Sequence, residues 1–219
     1  MVKILSHVEA REFYDWMGAK QDSQAFYEDR ATGDLVAHGS FGSAEAVVEF
    51  GCGTGRFAKG LLEQHLSPTA SYVGFDISPE MIELAHENVD RFGTRASVRL
   101  SEGPPQTDLA GDCCDRFVCN YVLDLLSEED CAAVVREAAR LLSRGGLVCL
   151  VSLSTGFTRT SRLVERLWNR LHAYRPWLVG GCRPIELLAL LPEADWEVRH
   201  HRRLAPFGIP SEVLVAARR

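Results

Sequence analysis

The fold is indicated most clearly by residues 46–56, AVVEFGCGTGR. Its first five residues are mostly apolar and β-branched, which predicts a buried strand over 46–50 that ends at Gly51. Three glycines then alternate with other residues, so the backbone of the turn can approach a ligand that Cβ atoms would hold away. A helix is predicted over 54–65, because apolar side chains recur there at helical spacing. Its first N–H groups and their partial positive charge suit an anionic group.

Strands and helices continue to alternate after this turn. Further strands are predicted over 71–76, 96–100, 115–121 and 147–153, with helices that begin at Ser78 and at Ser127, the second ending at Gly145-Gly146. Residues 196–204 and 212–217 are two predicted strands with no helix between them, which indicates an antiparallel pair at one edge. Because βαβ units make parallel sheets that helices cover on both faces, the predicted fold class is α/β. The sheet is Rossmann-like and mostly parallel, with one antiparallel edge strand.

The composition of the chain argues against several classes of protein. The chain has 219 residues, 46% of them hydrophobic and 25% charged, which is typical of a globular protein. Its formal net charge of −6 argues against a general nucleic-acid-binding surface. No apolar run approaches the ~20 residues of a membrane-spanning helix, and no signal peptide is indicated. The seven cysteines lack a C-x-x-C pair, so we expect reduced thiols and a cytoplasmic protein.

Two carboxylates flank the glycine turn and indicate its ligand. Asp76 ends the predicted 71–76 strand, where a carboxylate accepts hydrogen bonds from ribose hydroxyls. Glu49 lies two residues before Gly51. Its negative carboxylate would repel a pyrophosphate but would attract an ammonium group. The spacing G-x-G-x-G also differs from the G-x-G-x-x-G of dinucleotide enzymes. S-adenosylmethionine has an ammonium group, a ribose and no phosphate, so it fits better than NAD. A nicotinamide-dependent oxidoreductase is the alternative hypothesis.

Four segments together resemble the class I S-adenosylmethionine-dependent methyltransferases. They are VEFGCGTG at 48–55, GFDISPEM at 74–81, DRFV at 115–118 and EAARLLSRGG at 137–146. Each alone is a weak signal, but four in this order over roughly residues 46–155 are specific. The resemblance implies a seven-stranded sheet in the order 3-2-1-4-5-7-6, with strand seven antiparallel. It also implies S-adenosyl-L-methionine as the cofactor.

The same resemblance implies a set of cofactor-binding residues. Those expected at the methionine end are Glu49, Gly51, Cys52, Gly53 and Gly55. Those expected at the nucleoside end are Asp76 on the ribose, Ile77 and Met81 on the adenosine, and Glu102 with Gly103 near the adenine amino group. Asn120 and Tyr121 are expected to border the sulfonium and the acceptor pocket.

The residues that would assist the chemistry are a separate question. Methyl transfer depends mainly on alignment and exclusion of water, with a general base where the acceptor must lose a proton. The candidates are Tyr14, Tyr121 and Asp124. Alternatively, Tyr14 only lies beside a stripe of aromatic residues that packs its helix on the domain, and Asp124 is only a polar loop residue. His200 and His201 are neighbours on a predicted strand and face opposite sides, so no metal site is predicted.

A basic insertion follows the fifth predicted strand. Residues 157–183 carry six arginines against Glu165 alone, and leucines recur there at helical spacing. An amphipathic helix of this kind suits an anionic or lipid-like acceptor, or transient contact with a membrane surface. The alternative is a lid helix packed on the domain with a solvated arginine face. Arg183, just before a helix expected to start at Pro184, is the candidate substrate contact, together with Tyr121.

The chain is expected to form one domain in four segments. They are a helical cap over 1–45, the S-adenosylmethionine-binding core over 46–156, the inserted lid over 157–183 and edge strands over 184–219. The expected function is methyl transfer to a small molecule, quinone-like or lipid-like, with no nucleic acid as partner. A module that binds S-adenosylmethionine without catalysis is the other alternative.

Overall fold

A seven-stranded sheet organises the computed structural model, which describes residues 4–103 and 105–219. The strands are β1 Ala46–Phe50, β2 Ser71–Asp76, β3 Ala96–Leu100, β4 Cys114–Asn120, β5 Leu142–Leu153, β6 Trp196–Leu204 and β7 Ser211–Arg218. The helices are α1 His7–Met17, α2 Ala25–His38, α3 Arg56–Gln64, α4 Pro79–Val89, α5 Glu128–Leu141 and α6 Arg159–Tyr174. Turns of 3-10 helix lie at Gly18–Gln24, Phe41–Ser43, Asp90–Arg95, Leu123–Leu125, Pro176–Val179, Leu187–Leu190 and Pro206–Gly208.

The strand order is β3-β2-β1-β4-β5-β7-β6, which confirms the expected topology. Strands β1 to β5 pair in parallel, whereas β7 runs antiparallel to both β5 and β6. The antiparallel strand therefore lies one position inside the edge, which β6 forms. Chain order reverses between β1 and β4, and the carboxyl ends of these strands open a crevice of the kind that binds ligands in α/β sheets.

Helices cover both faces of the sheet, as predicted, and each face has its own core. On one face α2, α3 and α4 bury residues such as Leu35, Leu61 and Ala85 against the strands. On the other face α5 and the turn Leu187–Leu190 bury residues such as Leu141 and Leu187. Because β1, β4 and β5 are covered on both sides, most of their buried side chains are apolar.

Two predicted helix boundaries are wrong. Helix α5 ends at Leu141 instead of Gly145-Gly146, since Leu142 has an extended backbone and a fully buried side chain and already begins β5. The α-helix expected from Pro184 is reduced to the 3-10 turn Leu187–Leu190. The buried carboxylate of Glu212 on β7 accepts the N–H of Leu187 at 3.0 Å, which holds this turn on the sheet.

The inserted segment forms helix α6 and the following turn. Thr158 and Ser161 make a capping box at its start. Its inner side is held by Trp168, whose Nε1 donates to the carbonyl of Cys182 at 2.9 Å, and by the buried His172 beside Gly181. None of the helices in the described parts of the chain is both long and apolar enough to cross a bilayer.

Candidate active site

The glycine turn after β1 is tied directly to the end of β2. The N–H groups of Gly51 and Cys52 both donate to the carbonyl of Phe75, at 2.7 and 2.9 Å. Gly53 has a positive φ of 52°, and a Cβ built on it meets no described atom within 4 Å. Gly55 also has a positive φ, but its Cβ would lie 2.9 Å from the Cα of Ala85 on α4. The first of these glycines therefore leaves open space beside the turn, and the second lets α3 and α4 pack closely.

Asp76 joins the glycine turn to the start of α4. One carboxylate oxygen accepts the N–H of Gly53 at 2.8 Å, and the other accepts the N–H of Ser78 at 3.0 Å. Burial raises the pKa of Asp76 above its ordinary value, while these backbone N–H groups oppose the rise. The two elements that the sequence analysis singled out, the glycines and this carboxylate, are thus in direct contact.

Glu49 is buried at the other side of the same crevice. Its carboxylate accepts hydrogen bonds from the hydroxyl of Tyr72 at 2.6 Å and from Nδ2 of Asn120 at 3.4 Å. Burial raises the pKa of Glu49 to about 7, although both hydrogen bonds lower it. The side-chain oxygen of Asn120 is buried and has no hydrogen-bond partner among the described residues. Two acceptor groups at one place, one of them unsatisfied, form a site for a cationic donor.

These residues line a cavity of about 610 Å³ at the carboxyl ends of the strands. Its volume is within the range of small-molecule sites. The cavity contains nine of the eleven residues predicted to bind the cofactor: Glu49, Gly51, Cys52, Gly53, Asp76, Ile77, Met81, Gly103 and Asn120. Gly55 lies behind the wall, against Ala85. Glu102 is exposed and does not line the cavity, where Ser101 and Gly103 lie instead.

The sequence matches the family described as methyltransferase domain over residues 47–146. Residues 47–146 are a class I S-adenosylmethionine-dependent methyltransferase domain. The matched segment contains the glycine turn, Asp76 and both strands that border the crevice. S-adenosyl-L-methionine is the cofactor of this family, and the nicotinamide alternative is set aside. Among curated proteins, none matches the sequence of this chain.

Solved structures of the same fold cover nearly the whole of this chain. The cyclase SpnF is 13% identical with a TM-score of 0.73, covering 99% of this chain and 98% of that one. A methyltransferase in complex with the Trm112 activator of Haloferax volcanii is 14% identical with a TM-score of 0.74, covering 95% and 97%. The N-methyltransferase NodS of Bradyrhizobium japonicum, in complex with S-adenosyl-L-homocysteine, is 15% identical with a TM-score of 0.69, covering 95% and 98%. At these identities the likeness concerns the fold.

Two of the three catalytic candidates of the methyltransferase lie in the cavity wall. Burial raises the pKa of Tyr14, as do Cys182 and Asp124, so its hydroxyl stays neutral. Burial likewise raises the pKa of Tyr121, whose hydroxyl lies 2.9 Å from Oγ of Ser211. Tyr121 also has a positive φ of 54°, a strained conformation that is common beside functional sites.

Asp124 and Arg183 lie behind the wall. Asp124 is fully buried; its carboxylate accepts the N–H of Leu153 at 3.2 Å, and burial raises its pKa to about 7. The guanidinium of Arg183 donates to the carbonyl of Leu126 at 2.7 Å, and the backbone N–H of Arg183 donates to the carbonyl of Asp124 at 3.0 Å. Neither side chain lines the cavity of the methyltransferase. Both hold the loop after β4 against the segment after α6, and their expected roles as base and substrate contact stay predictions.

Sequence reasoning missed an acidic group on the cap side of the cavity. Arg56, which follows Gly55, lies 2.8 Å from Asp29, 3.8 Å from Asp22 and 3.9 Å from Glu28. Burial raises the pKa of Glu28 to about 7, although Arg56 lowers it. Glu28 belongs to the cavity face of α2 and shares it with Thr32, a residue one helical turn later. The helical spacing of Glu28 and Thr32 was the one sequence feature that could have placed them on the same face of α2. Only the fold shows that this face lies against Arg56.

Each histidine of β6 lies within hydrogen-bond distance of a carboxylate. Nε2 of His200 lies 2.7 Å from Asp34, whose other oxygen accepts Arg202 at 2.8 Å, and its ring stacks on that of His38 at 3.6 Å. Nε2 of His201 lies 2.7 Å from Glu212. Asp34, His38 and His200 have ligand atoms close enough for a metal. Both oxygens of Asp34 already take part in hydrogen bonds, with His200 and Arg202.

Proposed function

We propose that this chain transfers the methyl group of S-adenosylmethionine to a small molecule with a largely apolar body, quinone-like or lipid-like. The observation that carries the proposal is the continuity of the cavity. It extends from the carboxylates Glu49 and Asp76 to the hydroxyls of Tyr14 and Tyr121 without a break. Apolar side chains also line the cavity, and they include Leu5, Val122, Leu125 and Leu126. One space therefore offers polar groups to the cofactor and apolar wall to an acceptor.

The residues at the cofactor end fit the separate parts of S-adenosylmethionine. The carboxylate of Glu49 and the unsatisfied oxygen of Asn120 can both accept hydrogen bonds from an α-ammonium group. Asp76 keeps free lone pairs for ribose hydroxyls, since its two oxygens offer about four acceptor positions and the backbone N–H groups beside it do not fill them all. Ile77 and Met81 supply an apolar wall for the adenosine. The cofactor, when bound, supplies a methyl group on a sulfonium that is already activated.

The residues at the acceptor end orient the nucleophile and exclude water. Tyr14 and Tyr121 keep neutral hydroxyls, which can donate or accept a hydrogen bond to a polar atom of the acceptor. Alignment by such groups accounts for much of the rate of a transfer from an activated donor. If the acceptor must lose a proton, we propose that a carboxylate oxygen of Glu28 accepts it, because Glu28 lines the cavity and has a pKa of about 7.

The test is product identification with labelled cofactor. The full chain is incubated with methyl-labelled S-adenosylmethionine and fractionated cell extract, and labelled products are analysed by mass spectrometry. We expect label in an organic-soluble small molecule, formed more slowly by Tyr121→Phe. Binding of S-adenosylmethionine without turnover in any fraction would favour the non-catalytic module. Label in protein or nucleic acid would contradict the proposed acceptor class.

A further inference from the structure

Helix α6 carries an apolar stripe that points away from the protein. Its inner side is formed by Ser161, Trp168 and His172, whereas the leucines that recur at helical spacing lie outside. The exposed fractions are 68% for Leu163, 59% for Leu167 and 38% for Leu171, and Tyr174 at the end of the helix is 84% exposed. Residues three and four positions apart share one face of a helix, so these four side chains form a continuous strip about 16 Å long.

A basic strip runs beside the apolar one. Arg159, Arg162, Arg166 and Arg170 are all exposed, and at 3.6 residues per turn they lie next to the leucines on the outward half of α6. In the part of the chain that the structure describes, none of these four guanidinium groups forms an ion pair. The whole chain carries a net charge of −6, so this positive strip is a local reversal of charge.

Exposed aromatic rings extend the surface at both ends of α6. Near its start, Phe207 packs on Phe26 with ring centroids 5.5 Å apart, and the neighbouring Gly208 approaches Val164. After its end, Trp177 packs against Trp16 at 6.4 Å. Aromatic side chains of this kind are enriched where one part of the residue meets lipid and another meets water.

We infer that the outward face of α6 docks on the surface of a membrane that contains anionic phospholipids, with the leucines in the acyl boundary and the arginines on the headgroups. The positive charges of the α6 arginines favour an anionic membrane over a second copy of the chain as the partner of this face. A two-fold pairing through the leucines would bring the two basic strips close together, which is unfavourable. An anionic lipid surface instead matches both strips at once. The inference goes beyond the proposed function and requires no particular methyl acceptor.

The experiment measures sedimentation of the full chain with vesicles, without any methyl acceptor. Vesicles of phosphatidylcholine mixed with phosphatidylglycerol are compared with pure phosphatidylcholine, at low and high salt. We expect binding to the anionic vesicles that salt weakens. The variant Leu163→Ser/Leu167→Ser/Leu171→Ser should bind at least tenfold more weakly. The variant Arg162→Gln/Arg166→Gln/Arg170→Gln should lose the preference for phosphatidylglycerol and the dependence on salt.

A matched control changes exposed residues of the same types elsewhere. Leu188→Ser/Arg136→Gln/Arg144→Gln replaces an exposed leucine and two exposed arginines outside α6, and it should bind vesicles as the wild type does. All variants should keep the circular dichroism and the S-adenosylmethionine affinity of the wild type, which separates this test from the fate of the proposed methyl transfer. Equal vesicle binding by all variants, or none by the wild type, would overturn the inference. A wild-type dimer that the leucine variant converts to a monomer would assign the face to a second copy.

Discussion

Glu49 shows how one buried side chain can be prepared for a cation. Its position on β1 faces the cavity, and its partners Tyr72 and Asn120 are hydrogen-bond donors without charge. Because no cation neutralises it, burial raises its pKa to about 7. An ammonium group in the cavity would supply the missing charge, so the carboxyl is expected to ionise when the cofactor binds.

The first prediction concerns the pH dependence of cofactor affinity. Between pH 7.5 and 5.5, S-adenosylmethionine should bind the wild type progressively more weakly, by roughly twentyfold in total, because Glu49 must lose its proton first. Glu49→Gln should bind weakly at pH 7.5 and show a nearly flat profile. Titration calorimetry at several pH values measures both.

The control for this profile is Glu28→Gln. Glu28 also lines the cavity with a pKa of about 7, but it lies near Arg56 on the cap side. Its replacement should leave the pH profile of cofactor affinity unchanged. A steep profile that persists in Glu49→Gln and disappears in Glu28→Gln would reject the assignment of Glu49 to the ammonium group.

The second prediction concerns Asp76. Asp76→Ala should weaken S-adenosylmethionine binding by roughly 1–3 kcal/mol through loss of hydrogen bonds to the ribose. It should also lower stability, since the N–H groups of Gly53 and Ser78 lose their acceptor. Discrimination between adenosine and 2′-deoxyadenosine separates the two effects and should disappear only if Asp76 contacts the ribose. Asp15→Ala, which removes a carboxylate bonded to the hydroxyl of Ser78, is the control.

At the scale of elements, α3 illustrates two different uses of glycine. Gly55→Ala should destabilise the protein by about 1–3 kcal/mol, because φ is 75° there and the new methyl would press on the backbone of α4. Gly60→Ala, in the interior of α3 with no atom within 4 Å of its Cβ position, should stabilise it by about 0.5–1 kcal/mol. Urea unfolding of the two variants checks the pair, and equal effects would show that helix propensity alone governs both positions.

The strands and the glycine turn were predictable because local pattern determines them. β1, β2 and β3 begin and end where their apolar runs do, and the capping Ser78 and Ser127 mark α4 and α5 correctly. The end of α5 was not predictable from Gly145-Gly146, since Leu142 is drawn into β5 by pairing opposite Cys114. That pairing is a tertiary contact and leaves no local signal.

The residues of the candidate site also fall into two groups, those that local motifs predict and those that depend on tertiary packing. Glu49, Gly53 and Asp76 lie in motifs, and their positions at strand ends follow from the topology. Arg183 was singled out for its charge, yet its guanidinium bonds the carbonyl of Leu126, a contact that depends on how two distant loops meet. Glu28 was missed for the opposite reason: its helix precedes the motifs, and only the packing of α2 brings it to the cavity.

At the scale of the whole molecule, the ligand-free protein holds several carboxyl groups out of water. Burial raises the pKa of Glu28, Glu49 and Asp124 to about 7 each, and all three surround the loops at the carboxyl ends of the strands. A site prepared for a cationic ligand thus concentrates acid groups that are costly to ionise when the ligand is absent. Stability and function are coupled there through protons.

The last prediction follows from the sign of these shifts. Because the folded pKa values exceed those of the unfolded chain, the folded state retains protons that the unfolded state releases, and the free energy of unfolding falls as pH rises toward and through 7. His172, whose pKa is lowered by burial, acts in the opposite direction but mainly below pH 6.5. The melting temperature of the ligand-free protein should therefore fall from pH 6.5 to 8, each retained proton being worth at most ~1.4 kcal/mol per pH unit.

Glu49→Gln should reduce the slope, and saturating S-adenosylmethionine should restore stability at pH 8 most strongly in the wild type. A melting temperature that is constant or rises over this interval would show that the three carboxyl groups are already ionised without the ligand.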